Sequence, residues 1–329
     1  MLIEILKHIT PGRLLNLIKI YMSYYISVIL GRPVVWGLPA TFSIEPTNFC
    51  NLRCPECPSG TGQLTRAKGY LSFQDFSHIV DEIKGHAFYI QLFFQGEPYL
   101  NKELGKMISY ARENNIFVSI STNGLVINRS NSARLMEFPP DHLIFSMDGM
   151  DEETYREYRV GGSFNGAITA LNEIMGIKKN RSSKYPLVEL QFLVMKQNES
   201  QIPLLRQTAK RLKVDRLALK SMQVYSYEDA VKFLPSDEKY RRYSLENNRL
   251  EPKGKLRNRC FALWRTAVIS WDGNTAACCF DKDAAFNFGN VKDMSMREIW
   301  RSVKYNKFRE AILKNRSAIP LCTNCTEGM

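Results

Sequence analysis

The chain has 329 residues, 44% apolar and 24% charged, an ordinary soluble balance with room for one large domain and one small one. Eight cysteines are too sparse for a secreted disulfide scaffold, and acidic Glu4 with no small-residue cleavage site argues against a secretory signal, so a reducing cytoplasm is expected. The formal charge of +12 allows anionic partners, whether a membrane surface or an acidic electron donor, but no nucleic-acid-binding module accompanies it.

Residues 14–30 are strongly apolar, with Asn16, Lys19, Ser23 and Ser27 spaced by three or four so that they form one narrow stripe of a helix. Seventeen residues that include a lysine fall short of the ~20 needed to span a bilayer. Three readings stand: a helix packed under the main domain, an interfacial helix on a membrane, or a lid over an apolar substrate. Gly31-Arg32-Pro33 ends it.

From residue 41 strand and helix alternate. Strand-like runs fall at 41–45, 88–95, 116–121, 142–147, 187–194 and 214–219, with helix-like runs near 73–84, 101–114, 131–137, 165–178 and 200–212. Strands this apolar on both faces belong to a buried parallel sheet with crossover helices. Periodicity leaves open whether that sheet is doubly wound or a partial barrel.

After the first strand comes Cys50-Asn51-Leu52-Arg53-Cys54-Pro55-Glu56-Cys57. Cysteine sulfur is the usual holder of iron–sulfur clusters, and three thiolates on a four-iron cubane leave one iron open. A structural zinc site wants four ligands, and no histidine or fourth cysteine lies near this loop. The C-x3-C-x2-C spacing resembles the radical S-adenosylmethionine (SAM) enzymes. That resemblance covers roughly residues 40–225 and implies a partial (β/α)6 barrel in which SAM chelates the open iron through its amino and carboxylate groups. Glu56 stands where the family often has an aromatic residue.

Polar residues recur at the carboxyl ends of the predicted strands, where parallel β/α folds gather ligands. Gln95-Gly96-Glu97-Pro98 is similar to the family's Gly-Gly-Glu motif, which implies that Glu97 meets the SAM ammonium. Thr122 and Asn123 after the third strand, and Ser146 and Asp148 after the fourth, offer groups that hydrogen-bond ribose hydroxyls. Arg159 offers a planar fork to the methionine carboxylate.

Residues 1–39 thus form an N-terminal helix, 40–225 the barrel and 226–329 a linker and cysteine-rich domain. In the last, Cys260, Cys278, Cys279, Cys322 and Cys325 supply four thiolates with one to spare, and by ligand count zinc stays open beside an iron–sulfur cluster. The pattern resembles a shortened SPASM domain, the "twitch" form with one auxiliary 4Fe–4S cluster, and its spacing is similar to that of aminocyclitol dehydrogenases. The family's Gly-x4-Cys step, starting at Gly273, selects Cys278 over Cys279. An aspartate near this cysteine takes a substrate proton in related enzymes, which makes Asp281 the candidate catalytic base.

The resemblance implies a radical SAM oxidoreductase with two 4Fe–4S clusters, SAM, and a flavodoxin- or ferredoxin-type electron donor. A deoxyadenosyl radical would abstract hydrogen from an unactivated C–H bond, and the auxiliary cluster would accept the second electron. With only about 40 residues before the barrel, a small sugar-like or lipid-linked substrate is expected. A peptide-modifying maturase is the alternative, and an iron–sulfur electron carrier the non-enzymatic one.

Overall fold

The computed structural model describes residues 1–128, 131–246 and 248–326. Six strands run in parallel and in sequence order: β1 (Thr41–Ile44), β2 (Tyr89–Gln91), β3 (Phe117–Thr122), β4 (His142–Ser146), β5 (Leu187–Val194) and β6 (Arg216–Ser221). All but β6 are largely apolar, and Phe42, Ile90, Val118, Leu143 and Leu190 lie fully buried within the sheet.

Crossover helices cover the sheet. Helix Phe73–Ile83 starts at Ser72, whose hydroxyl accepts from the Asp75 N–H, and buries Phe76, Ile79, Val80 and Ile83. Helix Phe164–Asn180 starts on Ser163 in the same way and buries Ala167, Ala170, Leu171 and Ile174. Apolar residues three and four apart form the stripe that faces the strands.

A hairpin, β7 (Tyr243–Glu246) and β8 (Arg249–Pro252), follows the parallel strands. The sheet itself does not stop at residue 225. β9 (Thr266–Ile269) pairs in parallel with the free side of β1, and β10 (Thr275–Ala276) pairs antiparallel with β9. The order is therefore β10-β9-β1-β2-β3-β4-β5-β6, and the C-terminal segment is part of the main sheet. Four residues in a cysteine-rich segment carry no alternation that would announce β9 from sequence.

The N-terminal segment holds two helices, Leu2–Leu6 and Pro11–Leu30, the second ending at Gly31 with φ 63°. It lies against the entry ends of the strands. Arg13, buried, donates to the carbonyls of Lys84, Asn114 and Asn115, just ahead of β2 and β3. Glu4 accepts from the Tyr185 hydroxyl, just ahead of β5. The cluster loop leaves the opposite end of β1, so this helix is not a lid over that end.

Of the polar stripe of the long helix, Asn16, Ser23 and Ser27 face inward, while Lys19 is exposed. Asn16 exchanges two hydrogen bonds with the backbone of Leu38, and Ser27 exchanges two with Val34. Ile20 and Tyr24 are buried beside them, with Tyr24 edge-on to Trp264. The expectation of a helix buried by its apolar faces therefore holds for one narrow side alone.

Candidate active site

Three turns converge on the cluster loop at the exit ends of the strands. The Glu97 N–H donates to the Phe49 carbonyl, and the Asn123 side chain donates to Asn51 at 2.9 Å. Between these turns Gly96 has φ 75°, and a Cβ there would lie 2.5 Å from the Thr47 carbonyl and 2.6 Å from that of Phe49. Only glycine lets this turn close on the loop. Gln95, in place of the motif's first glycine, accepts from Ser59 at 3.2 Å and so joins the far side of the loop.

Glu97 is buried. Its carboxylate accepts from the Thr122 hydroxyl and the Asn123 N–H, each at 2.8 Å, and from the Tyr99 N–H at 3.2 Å. Burial pushes its pKa up, and those three donors pull it back. Hydroxyls and amides orient a carboxylate without neutralising it, so an ammonium is the natural further partner. Pro98 opens the one-turn segment Pro98–Leu100 behind it.

Asp148, buried after β4, accepts from the Leu193 N–H at 2.7 Å and pairs with Arg159 at 2.5 and 2.6 Å. Arg159 also reaches the Cys54 thiol. Burial opposes its charge, but Asp148 and Cys54 more than offset this and keep the guanidinium protonated. Arg159 thus stands at the cluster loop and holds a carboxylate partner within the chain. Ser146 is buried at the end of β4.

The thiols of Cys50, Cys54 and Cys57 lie near one another, and burial lifts Cys50 to about 12 and Cys54 to about 11. Ligating iron must therefore expel protons. Among the described residues no three His, Cys, Asp or Glu side chains close on a single-ion site.

The second set of thiols gathers in the C-terminal segment. Cys260 influences both Cys278 and Cys322, and Cys325 influences both as well. Cys279 is exposed, whereas the Cys278 thiol is turned inward and burial raises its pKa well above the usual range. Buried Arg316 donates to the Cys325 sulfur at 3.3 Å and to the Arg259 carbonyl at 2.8 Å. Four thiols and one guanidinium suit a metal–thiolate centre of net negative charge.

Asp281 is buried, and its carboxylate accepts from the backbone N–H groups of Ala277, Ala285 and Phe286. These bonds fix the turn that carries Cys278. The side chain is thus bonded within its own loop.

Other site residues carry no motif. Glu45, at the end of β1, is fully buried and forks onto Arg66 at 2.5 and 2.6 Å. Arg66 also donates to the Lys282 carbonyl, and Asp283 accepts from the backbone of Thr65 and Arg66, which ties the loop of the auxiliary thiols to the cluster loop. Glu56 packs at the mouth beside Asp229 and Lys282, and Lys282 donates to Tyr225. Burial and then Asp229 lift Glu56 to about 7. The contacts of Arg66 with Lys282 and of Thr65 with Asp283 span 216 and 218 residues, so no local pattern announces them.

Comparison with known proteins agrees with this geometry. The profile of the radical SAM superfamily matches residues 44–199, and that of SPASM, an iron–sulfur cluster-binding domain, matches 260–326. The tungsten-containing aldehyde ferredoxin oxidoreductase cofactor-modifying protein of Pyrococcus furiosus is 26% identical over 314 residues, 86% of each chain. The PqqA peptide cyclase of Granulibacter bethesdensis is 26% identical over 82% of this chain and 76% of its own. Among solved structures, Streptococcus suis SuiB bound to S-adenosylmethionine superposes with a TM-score of 0.63 at 15% identity, over 88% of this chain and 73% of that one. BtrN in complex with AdoMet and 2-DOIA superposes with a TM-score of 0.54 at 18% identity, over 88% and 94%. At such identities the structures speak for the fold. The matched domains bind a 4Fe–4S cluster with SAM and auxiliary iron–sulfur clusters.

Proposed function

We propose that this chain, a radical SAM enzyme with a C-terminal SPASM domain, is an oxidoreductase that takes a hydrogen atom and then an electron from an unactivated C–H position. The observation that carries this reading is the second thiol set, Cys260, Cys278, Cys322 and Cys325, brought together beside Arg316. Four protein thiolates leave no iron open, which suits accepting an electron better than holding substrate. Bound on Cys50, Cys54 and Cys57, the first cluster with SAM supplies a 5′-deoxyadenosyl radical.

The chain's own residues bind and orient. Glu97 takes the SAM ammonium, and Thr122 and Asn123 hold its carboxylate in place. Gly96 and Pro98 shape that turn, Ser146 and Asp148 face the ribose end, and Arg159 ties Asp148 to the loop at Cys54. Asp281 acts by fixing the turn that positions Cys278. Polar Glu56, Asp229, Tyr225 and Lys282 at the mouth suit a small polyhydroxylated or amino-bearing substrate. A second reading, a peptide-modifying maturase, is favoured by the likeness to PqqA peptide cyclases. A flavodoxin- or ferredoxin-type protein would reduce the first cluster.

Electron counting tests the oxidative reading. Each turnover would consume one electron at SAM and recover one from the substrate, so limiting reductant should support several equivalents of 5′-deoxyadenosine in the presence of substrate. Candidate small-molecule and peptide pools serve as the source, with products read as a loss of two hydrogens. One 5′-deoxyadenosine per electron added, with no oxidised product, would overturn the reading.

Replacing Glu97 by glutamine should weaken SAM binding by about 1.5–3 kcal/mol, the scale of a hydrogen bond to a charged group. Iron content should not change. Equilibrium dialysis with labelled SAM reads this, and an unchanged affinity removes Glu97 from the site.

A further inference from the structure

The long N-terminal helix Pro11–Leu30 wears its amphipathicity inside out. Leu14, Leu15, Ile18, Met22, Tyr25 and Ile29 are 47–82% exposed. At 3.6 residues per turn these six fall within one sector of about 100°, the width of a complete apolar face. Arg13, Ile20, Ser23, Tyr24 and Ser27, all buried, lie on the opposite side. A soluble helix normally turns such a face inward, and a contiguous exposed one marks a contact.

Charge indicates what the contact is. Between residues 5 and 44 the chain has Lys7, Arg13, Lys19 and Arg32 and no Asp or Glu. Arg13 is buried, while Lys19 and Arg32 are exposed at the edge and end of the apolar sector. Trp36 is 45% exposed just beyond the helix, and Arg301 donates to its carbonyl, which adds another cation. Amphipathic rings and basic residues bordering an apolar face are the features of an interfacial helix on an anionic bilayer. A second copy of the chain would bring like charges together.

The helix runs 20 residues, starting three before the apolar run at residue 14, so contrary to the expectation from that run it is long and apolar enough to cross a membrane, by length and composition. Crossing would break the bonds of Arg13, Asn16 and Ser27 to the body of the protein. We infer that the chain docks on anionic lipid through this helix, lying flat along about 30 Å of its length. The exit ends of the strands, with the cluster loop, then face away from the bilayer.

Flotation of the full chain with phosphatidylcholine vesicles, with and without phosphatidylglycerol, tests this. Binding should require phosphatidylglycerol and weaken with salt. The I18E/M22E/I29E variant should bind at least about tenfold more weakly, since three apolar anchors are lost. Its iron content and SAM binding should stay as in the parent, because these exposed side chains lie outside the hydrophobic core and far from the cluster loop. K19E/R32E keeps the apolar face intact and should also bind phosphatidylglycerol vesicles more weakly, which covers the case of a triple variant that fails to fold. Absence of binding by the parent chain overturns the inference, as does equal binding by K19E/R32E. Sedimentation velocity showing a dimer abolished by I18E/M22E/I29E, without vesicle binding, overturns it in favour of self-association.

Discussion

Anaerobically reconstituted protein is expected to hold about eight irons per chain, four in each of two cubanes. Replacing Cys50, Cys54 and Cys57 together by alanine should leave about four and abolish SAM cleavage, because the open iron belongs to the three-thiolate cluster alone. The remaining cluster should keep its spectrum, since the auxiliary thiols lie on a different segment and have their own cation in Arg316. Iron analysis and electron paramagnetic resonance of the reduced protein read both parts. Tightly bound zinc in place of the second cluster would refute the auxiliary assignment, and retained SAM cleavage in the triple variant would refute the first.

The largest expected loss of stability is at Arg66. Glu45 is wholly buried, and Arg66 is its counter-charge, with a side chain only 9% exposed. Removing one partner of a buried pair leaves an uncompensated charge and costs about 3–5 kcal/mol. Arg66→Met should show that loss in urea unfolding, and the double variant E45Q/R66M should recover much of it. The pH dependence has a definite sign. Burial already pushes the Glu45 pKa up, and without Arg66 it rises further, so the folded state favours the protonated form. The deficit should therefore be small near and below the ordinary carboxylate range and grow as the pH rises above it. A loss under about 1 kcal/mol, or one that grows on acidification, would contradict this account.

Much of this frame was legible beforehand. Runs such as Phe117-Val118-Ser119-Ile120 are strands wherever both faces are covered, and the observed β3 differs from its expected bounds by one residue at each end. The cluster loop and the turns at Gly96, Thr122 and Asp148 were legible because short-range spacing and strand position place them. What resisted reading was orientation. A polar stripe on an apolar helix does not say which side meets water, and here Ser27 and Asn16 bond to the loop at residues 34–38. Asp281 shows the same limit. Nothing in its sequence position announces that its oxygens accept from three backbone amides of its own turn. The Glu45–Arg66 fork and the Arg316 contact join residues with no shared motif, and only the folded backbone brings them together.

The pairing of β9 with β1 bears on how the chain is made. Thr41 and Thr266 are partners in that ladder, 225 positions apart in the sequence. During synthesis β1 is finished early, yet one of its edges stays open until β9 has emerged. Long-range strand pairing is slow, and an uncovered strand edge is a template for association with other chains. The growing polypeptide thus carries its cluster loop on a strand still exposed to aggregation, and release before residue 269 leaves that edge open for good. Full-length yield in a heterologous host should then depend on translation completing β9 before crowded nascent chains meet.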